Sequence, residues 1–220
     1  MVELKYKSWR ETPINVYMKI RDILKSEEPE DDVDNKIVYI ISTLSGLDVD
    51  EVMDLSLLDF ERLSAAAAYV FKPIRRMPVG IKRIDIDGQR YDVQTDFGQV
   101  TTAQYMDFTT FFRNPDKYYC NILTTFILPH GKRYNDGYDA SELAKVFEEK
   151  MDIETAENAS FFFANWSMRS IKLIQKLYMR KVRRMMRKTK DEAQKAKMME
   201  ILNTLQTQNI LIDGLATLMR

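Results

Sequence analysis

The chain has 220 residues and 45% apolar content, with 33 basic residues offset by 33 acidic ones, one cysteine and one histidine. That length and composition bury a full core, as one large domain or one domain plus an appendage, while the single Cys120 excludes an internal disulfide and fits a reducing compartment. The start MVELKYKSWRETP puts charges where a signal peptide needs an unbroken apolar run. No segment approaches the roughly 18 apolar residues of a membrane helix, so a cytosolic chain is expected.

The zero net charge conceals a segregation. Twelve acids fall between Glu27 and Glu61 with Lys36 as the one base among them, whereas Arg169 to Lys190 holds ten bases and no acid. Such asymmetry fits an internal salt-bridged interface, a head-to-tail contact between subunits, or a basic surface for an acidic partner.

In chain order, Val2 to Trp9 reads as a short strand or an arm. Thr12 as N-cap with Pro13 at the first helical position opens a helix to about Lys25, with Ile14, Tyr17, Met18 and Leu24 on its apolar side. The SEEPEDD run at 26–32 reads as a solvated connector. The next helix carries Ile37, Ile40, Ile41 and Leu44 and stops at Gly46. Asp48 with Glu51 then starts a short helix, and Ser56 with Asp59 starts another through Phe71. Helix, glycine and helix between Lys36 and Leu63 suggest a DNA-reading helix-turn-helix. However, Asp48, Asp50, Glu51, Asp54, Asp59 and Glu61 would face a duplex carrying one negative charge per roughly 1.7 Å, so an acidic helical subdomain is expected instead.

Gly80 to Phe97 is the one strong β signal. Ile84 and Ile86 alternate with charged residues, Asp87-Gly88 supplies a tight turn, and Tyr91 and Val93 alternate back, so a hairpin is predicted. A lone hairpin is barely stable in water, and the flanking helices must cover its apolar face. Thr101 to Gln104 is a capping box for a helix from about Thr102 to Arg113. Asn114-Pro115 reads as N-cap and first helical residue of a further helix running through Tyr118, Tyr119, Ile122 and Leu123 to Phe126–Leu128, with Cys120 as a small hydrophobe on or beside its buried face. The loop 129–139 holds His130, a general-base candidate, and Asn135, Asp136 and Asp139, candidate cation ligands. It lacks the spacing of a calcium loop and reads as a structural turn, after which Asp139 and Glu142 cap a helix to about Lys150.

The longest element is expected from near Asp152 to about Lys188, with Phe163, Ser167, Ile171, Ile174, Tyr178, Val182 and Met185 forming one apolar stripe that Phe161, Phe162 and Trp166 widen. On the opposite face Arg169, Lys172, Lys176, Arg180, Arg183 and Arg187 form a basic ridge about 27 Å long at 1.5 Å per residue. It is either a solvated face, a surface for an acidic protein, or a surface for nucleic acid. Thr189 to Glu192 caps a last helix to about Met219, where Met198, Leu205 and Ile212 recur every seven residues. That helix either folds back on 165–188 as an antiparallel hairpin or packs on another chain. The expected fold is therefore mainly α: a multi-helix domain, 1–178, built around one β-hairpin at about 80–97, with a long C-terminal helix and a charged helical extension, 179–220.

No glycine-rich phosphate loop, His-Glu-x-x-His, Gly-x-Ser-x-Gly or cysteine pair occurs, so a non-enzymatic protein without cofactor or metal is expected. The ordered segments NKIVYIISTLSGLDVDEVMDLSLLDFERLS, IKRIDIDGQRYDVQTDFGQVTTAQYMDF, ILPHGKRYNDGYD and SFFFANWSMRSIKLI resemble small tail proteins of tailed bacteriophages, of the tail-assembly-chaperone type. The resemblance covers roughly residues 4–178. It implies a non-enzymatic helical oligomer in the host cytoplasm that coats a long helical tape-measure protein and helps recruit tail-tube subunits. The residues assigned to partner binding are Arg169, Lys172, Lys176, Arg180, Arg183, Arg187, Met198, Leu205 and Ile212. A virion structural protein and a nucleic-acid-binding module using 169–190 are the alternatives.

Overall fold

A computed structural model describes residues 2–26, 33–77, 80–95, 99–160, 179–180, 182–187, 194–195 and 199–200. Backbone packing divides the chain into one unit of 1–94 with 99–160 and a second of 95–98 with 161–220. The boundary expected between Tyr178 and Met179 touches residues outside the described set. The described chain is mainly helical with one small antiparallel sheet.

The sheet is the predicted hairpin plus a third strand. β1 (Arg83–Ile86) pairs with β2 (Gln89–Val93), Ile84 opposite Tyr91. Asp87 and Gly88 connect them with φ of 49° and 76°, the double positive-φ turn that matches strand twist. Ile84, Ile86, Tyr91 and Val93 are all buried, and Tyr91 meets Phe147 edge-on at 5.4 Å. Phe147, from a helix about 55 residues further along the chain, thus supplies part of the cover that a bare hairpin lacks.

The third strand corrects the expectation of a helix through Phe126–Leu128. α6 (Tyr119–Thr124) is short, and the amides of Thr125 and Phe126 fold back onto Ile122 and Leu123 carbonyls, both at 3.1 Å. The chain then leaves the helix as β3 (Ile127–Pro129), with Val93 opposite Ile127 and Tyr91 opposite Pro129. Phe126, Ile127 and Leu128 are buried in succession, and such an unbroken apolar run carries no periodicity to separate strand from helix. The start of α6 also lies later than expected. Asn114 makes only a turn, its carbonyl accepting from Tyr118 N at 3.1 Å, and Tyr118 at φ −112°, ψ 26° stands outside helical geometry.

α1 (Ile14–Lys25) begins one residue later than the Thr12 cap predicts. The Thr12 carbonyl accepts from Ile153 N at 2.9 Å and Ile14 N donates to the Met151 carbonyl at 3.1 Å, so 12–14 pair with 151–153 as a ladder. That extended backbone leaves Pro13 as the boundary residue, and the Thr12 hydroxyl donates to Ser8 O instead of capping. Residues 2–9 form an arm, tied by Lys5 N to Leu44 O at 2.9 Å and by the Trp9 indole N–H to Lys72 O at 3.0 Å.

The acidic helices follow their caps. α2 (Val33–Ser45) buries Ile40, Ile41 and Leu44 and ends at Gly46, φ 78°. In α3 (Val49–Met53) the Glu51 carboxylate accepts from Asp48 N at 2.8 Å, and in α4 (Leu57–Ala67) the Ser56 hydroxyl accepts from Asp59 N at 3.2 Å. A 3-10 turn, Ala68–Phe71, closes the run. The connector at 27–32 lies outside the described residues.

Beyond the sheet, α5 (Thr102–Phe111) starts with the expected Thr101–Gln104 box, and buried Gln104 also donates to Thr125 O, tying the helix to the end of α6. The Asp139 carboxylate caps α7 (Ala140–Lys150) by accepting from Ser141 N at 2.7 Å. A helix starts at 153, where the long one was expected, with Asp152 accepting from Thr155 N at 2.8 Å, and it is described to 160. Its middle, including Phe161, Phe162, Phe163, Trp166, Ser167, Ile171, Ile174 and Tyr178, lies outside the described residues.

Candidate interaction surfaces

Residues 179–180 and 182–187 are helical. At 100° per residue Arg180, Arg183, Arg184 and Arg187 fall within an arc of about 100°, with Val182 on the opposite side. The arrangement is realised: the four arginines are exposed, Val182 is buried, and none of the four makes an ion pair among the described residues. Met185 corrects the expected apolar stripe, being 46% exposed. Three residues from Val182 leave it about 60° further round, on the flank between the buried side and the arginines. Of the other residues assigned to partner binding, Arg169, Lys172, Lys176, Met198, Leu205 and Ile212 lie outside the described residues.

A second surface lies in the acidic subdomain. Leu63 and Ala67 fill the core side of α4, which turns Leu57, Leu58, Glu61 and Ala65 toward solvent. Leu57 and Leu58 are 73% and 77% exposed, and Met53 at the end of α3 is 65% exposed. Asp48, Asp50, Glu51, Asp54 and Glu61 stand exposed around them. Asp59 is held by Arg62 at 3.2 Å and by the Ser56 hydroxyl, whereas Asp50, Asp54 and Glu61 form no ion pair among the described residues. Sequence reasoning took this stretch as acidic and missed its apolar centre. The signal was present: counted from the Ser56 cap, two leucines at the first two helical positions cannot share a face with Leu63 and Ala67.

The third surface is α5, which buries only Gln104 and Phe108 and exposes Met106 along with the adjoining Phe112. Met106 points away from this anchored face, whereas Phe112 stacks on Phe108 at 5.2 Å at its edge.

The chemical candidates are accounted for structurally. His130 Nδ1 lies 2.8 Å from Asp92 Oδ2, on which Gly131 N also converges at 3.3 Å. Partial burial pushes the Asp92 carboxyl up, but these donors and nearby Arg83 outweigh it and hold it below the ordinary range. The group thus pins the loop after β3 to β2. Asn135 and Gly137 take positive φ in that loop, and Asp139 serves as the α7 cap, as a turn requires. Burial, with Glu148 nearby, pushes the Cys120 thiol up to about 12, which leaves almost no thiolate at neutral pH. Among the described residues no cluster of His, Cys, Asp and Glu is arranged to hold a metal ion, and no helix is long and apolar enough to cross a membrane. Comparison with protein-family models, curated proteins and solved structures finds no match.

Proposed function

We propose that the chain is a non-enzymatic tail-assembly protein of a tailed bacteriophage, of the chaperone type, which binds a long helical, tape-measure-like partner in the host cytoplasm and keeps it soluble during tail assembly. The resemblance of its ordered segments supports the phage context. The observation that carries the binding role is the exposure of Met53, Leu57, Leu58, Met106 and Phe112 on helices whose other faces are anchored in a core. Covering a large apolar side chain is worth about 1.5–3 kcal/mol, and an amphipathic helix laid on such faces gains that repeatedly. Methionine at several of these positions suits a surface that accommodates a varying sequence.

A tagged pull-down from the native source, with and without nuclease, tests the reading. Recovery of a long helical protein despite nuclease is expected. A second reading, a nucleic-acid-binding module, is favoured by the four exposed arginines at 180, 183, 184 and 187, which make no ion pair among the described residues, and it predicts recovery that nuclease abolishes and salt weakens. Presence of the chain in purified particles would favour a virion structural protein over a chaperone.

A further inference from the structure

We propose that the acidic, apolar corner formed by α3 and α4 of one copy receives the basic helical residues 179–180 and 182–187 of a second copy, so that the protein associates head to tail. This goes beyond the binding of a tape-measure-like partner and does not rest on it: the two compete for Met53, Leu57 and Leu58, while Met106 and Phe112 stay with that partner.

The two surfaces match in charge, chemistry and length. The corner offers Asp50, Asp54 and Glu61 without ion pairs among the described residues, and the helical segment offers Arg180, Arg183, Arg184 and Arg187 in the same condition. Among the described residues, then, neither set is neutralised within its own chain. Each also carries apolar side chains beside the charges: Met53, Leu57 and Leu58 on the corner, and Met185 flanking the arginines. Charge alone on a solvated face is worth little, so apolar side chains left exposed next to it mark a surface that closes.

The solvent face of α4 from Leu57 to Ala65 extends about 12 Å and the helical run from Val182 to Arg187 about 8 Å, at 1.5 Å per residue. Ala65 and Ala66 are exposed, and their small side chains let a second helix approach closely without displacing a bulky neighbour. A duplex or single strand would be drawn to the arginines but repelled by the corner, so nucleic acid explains one surface and a second copy explains both. The two patches differ, and such a contact is heterologous: each copy keeps one free end, and the series closes into a ring or continues as a filament.

Analytical ultracentrifugation of the full chain alone tests this, independently of any tape-measure-like partner. Reversible self-association that weakens as salt rises is expected. Two variants, one with Arg180→Glu, Arg183→Glu and Arg187→Glu and one with Asp50→Lys, Asp54→Lys and Glu61→Lys, should each raise the dissociation constant about tenfold or more. Each retains one intact surface, but the retained surfaces face a reversed partner only in the self-complex. Mixed in equal amounts, the two should associate where neither does alone, because each offers the opposite charge at both contacts, and both sets of changes in one chain should recover association. Leu57→Ser with Leu58→Ser stands in for the acid reversal if that variant misfolds, and should weaken association similarly. A wild-type chain that stays monomeric overturns the proposal. So does a folded pair of variants that fails to combine, or a Leu57→Ser, Leu58→Ser chain that associates as wild type does.

Discussion

Asn158 on the helix at 153–160 accepts the Met77 amide on its side-chain oxygen at 2.7 Å, 81 residues away in sequence. Its side-chain nitrogen donates to the Arg75 carbonyl at 2.9 Å and to Glu154 O at 2.7 Å, and the residue is 2% exposed. One buried amide thus satisfies the backbone of the irregular segment that carries the chain from the acidic helices toward the hairpin. Removing it leaves a donor and an acceptor of this part-buried segment without their partner. Asn158→Leu is expected to lower stability by about 2–3 kcal/mol in urea unfolding, more than the loss of an average hydrogen bond. A loss below about 0.5 kcal/mol would show that water reaches the segment.

The turn between β1 and β2 offers a separate test of backbone preference. Gly88 has φ of 76° and open space around its missing side chain, so substitution there costs conformation and not contacts. Gly88→Ala should therefore destabilise by about 1 kcal/mol. The same exchange at a glycine of ordinary φ would stabilise slightly by restricting the unfolded chain. Urea midpoints of wild type and variant, measured with unchanged slope, decide the sign.

This hairpin was legible because its signals are local: Asp-Gly at the turn and isoleucine alternation beside it. β3 was not, since nothing within Phe126–Leu128 distinguishes a strand. Its identity comes from Val93 and Tyr91, some 35 residues earlier, offering a free edge. The N-caps at Ser56, Thr101 and Asp139 were likewise readable, whereas Thr12 and Asn114 have the right chemistry in the wrong backbone. At Thr12 the ladder with 151–153 wins, a contact across 140 residues that no local pattern encodes. Of the interaction surfaces, the exposed arginines at 180, 183 and 187 followed from periodicity. The apolar corner did not, because the acids drew attention and Leu57-Leu58 reads as core until the buried side of α4 is known.

Asp152 links stability to pH. Burial raises its carboxyl above the ordinary range, Glu154 adds to the shift, and the amide and hydroxyl of Thr155 only partly offset it. A carboxyl raised on folding favours the native state most while protonated, below its unfolded pKa. That contribution is lost as pH rises through the folded value. Asn keeps an N-cap acceptor for Thr155 N and carries no charge. Asp152→Asn should accordingly match wild type in acid and become the more stable of the two near neutrality. Paired urea titrations across that range check it; a variant less stable at neutral pH would show that the charge at this helix start helps rather than costs.

Leu57 and Leu58 present the clearest separation between folding and binding. Both are exposed, Leu57 at 73% and Leu58 at 77%, and they occupy the first turn of α4 just after the Ser56 cap, where serine is well tolerated. Changes at such positions normally move stability by no more than about 0.5 kcal/mol. Leu57→Ser with Leu58→Ser is therefore expected to leave the urea midpoint nearly unchanged. Phe147→Ala, emptying a fully buried site against Tyr91, should cost about 3–5 kcal/mol. The contrast matters for the surface as well as the fold: side chains that contribute nothing to folding yet keep apolar area in water are retained at a cost in solubility. If the serine variant instead unfolds early, the corner belongs to the core of its own chain and the docking surface loses its apolar centre.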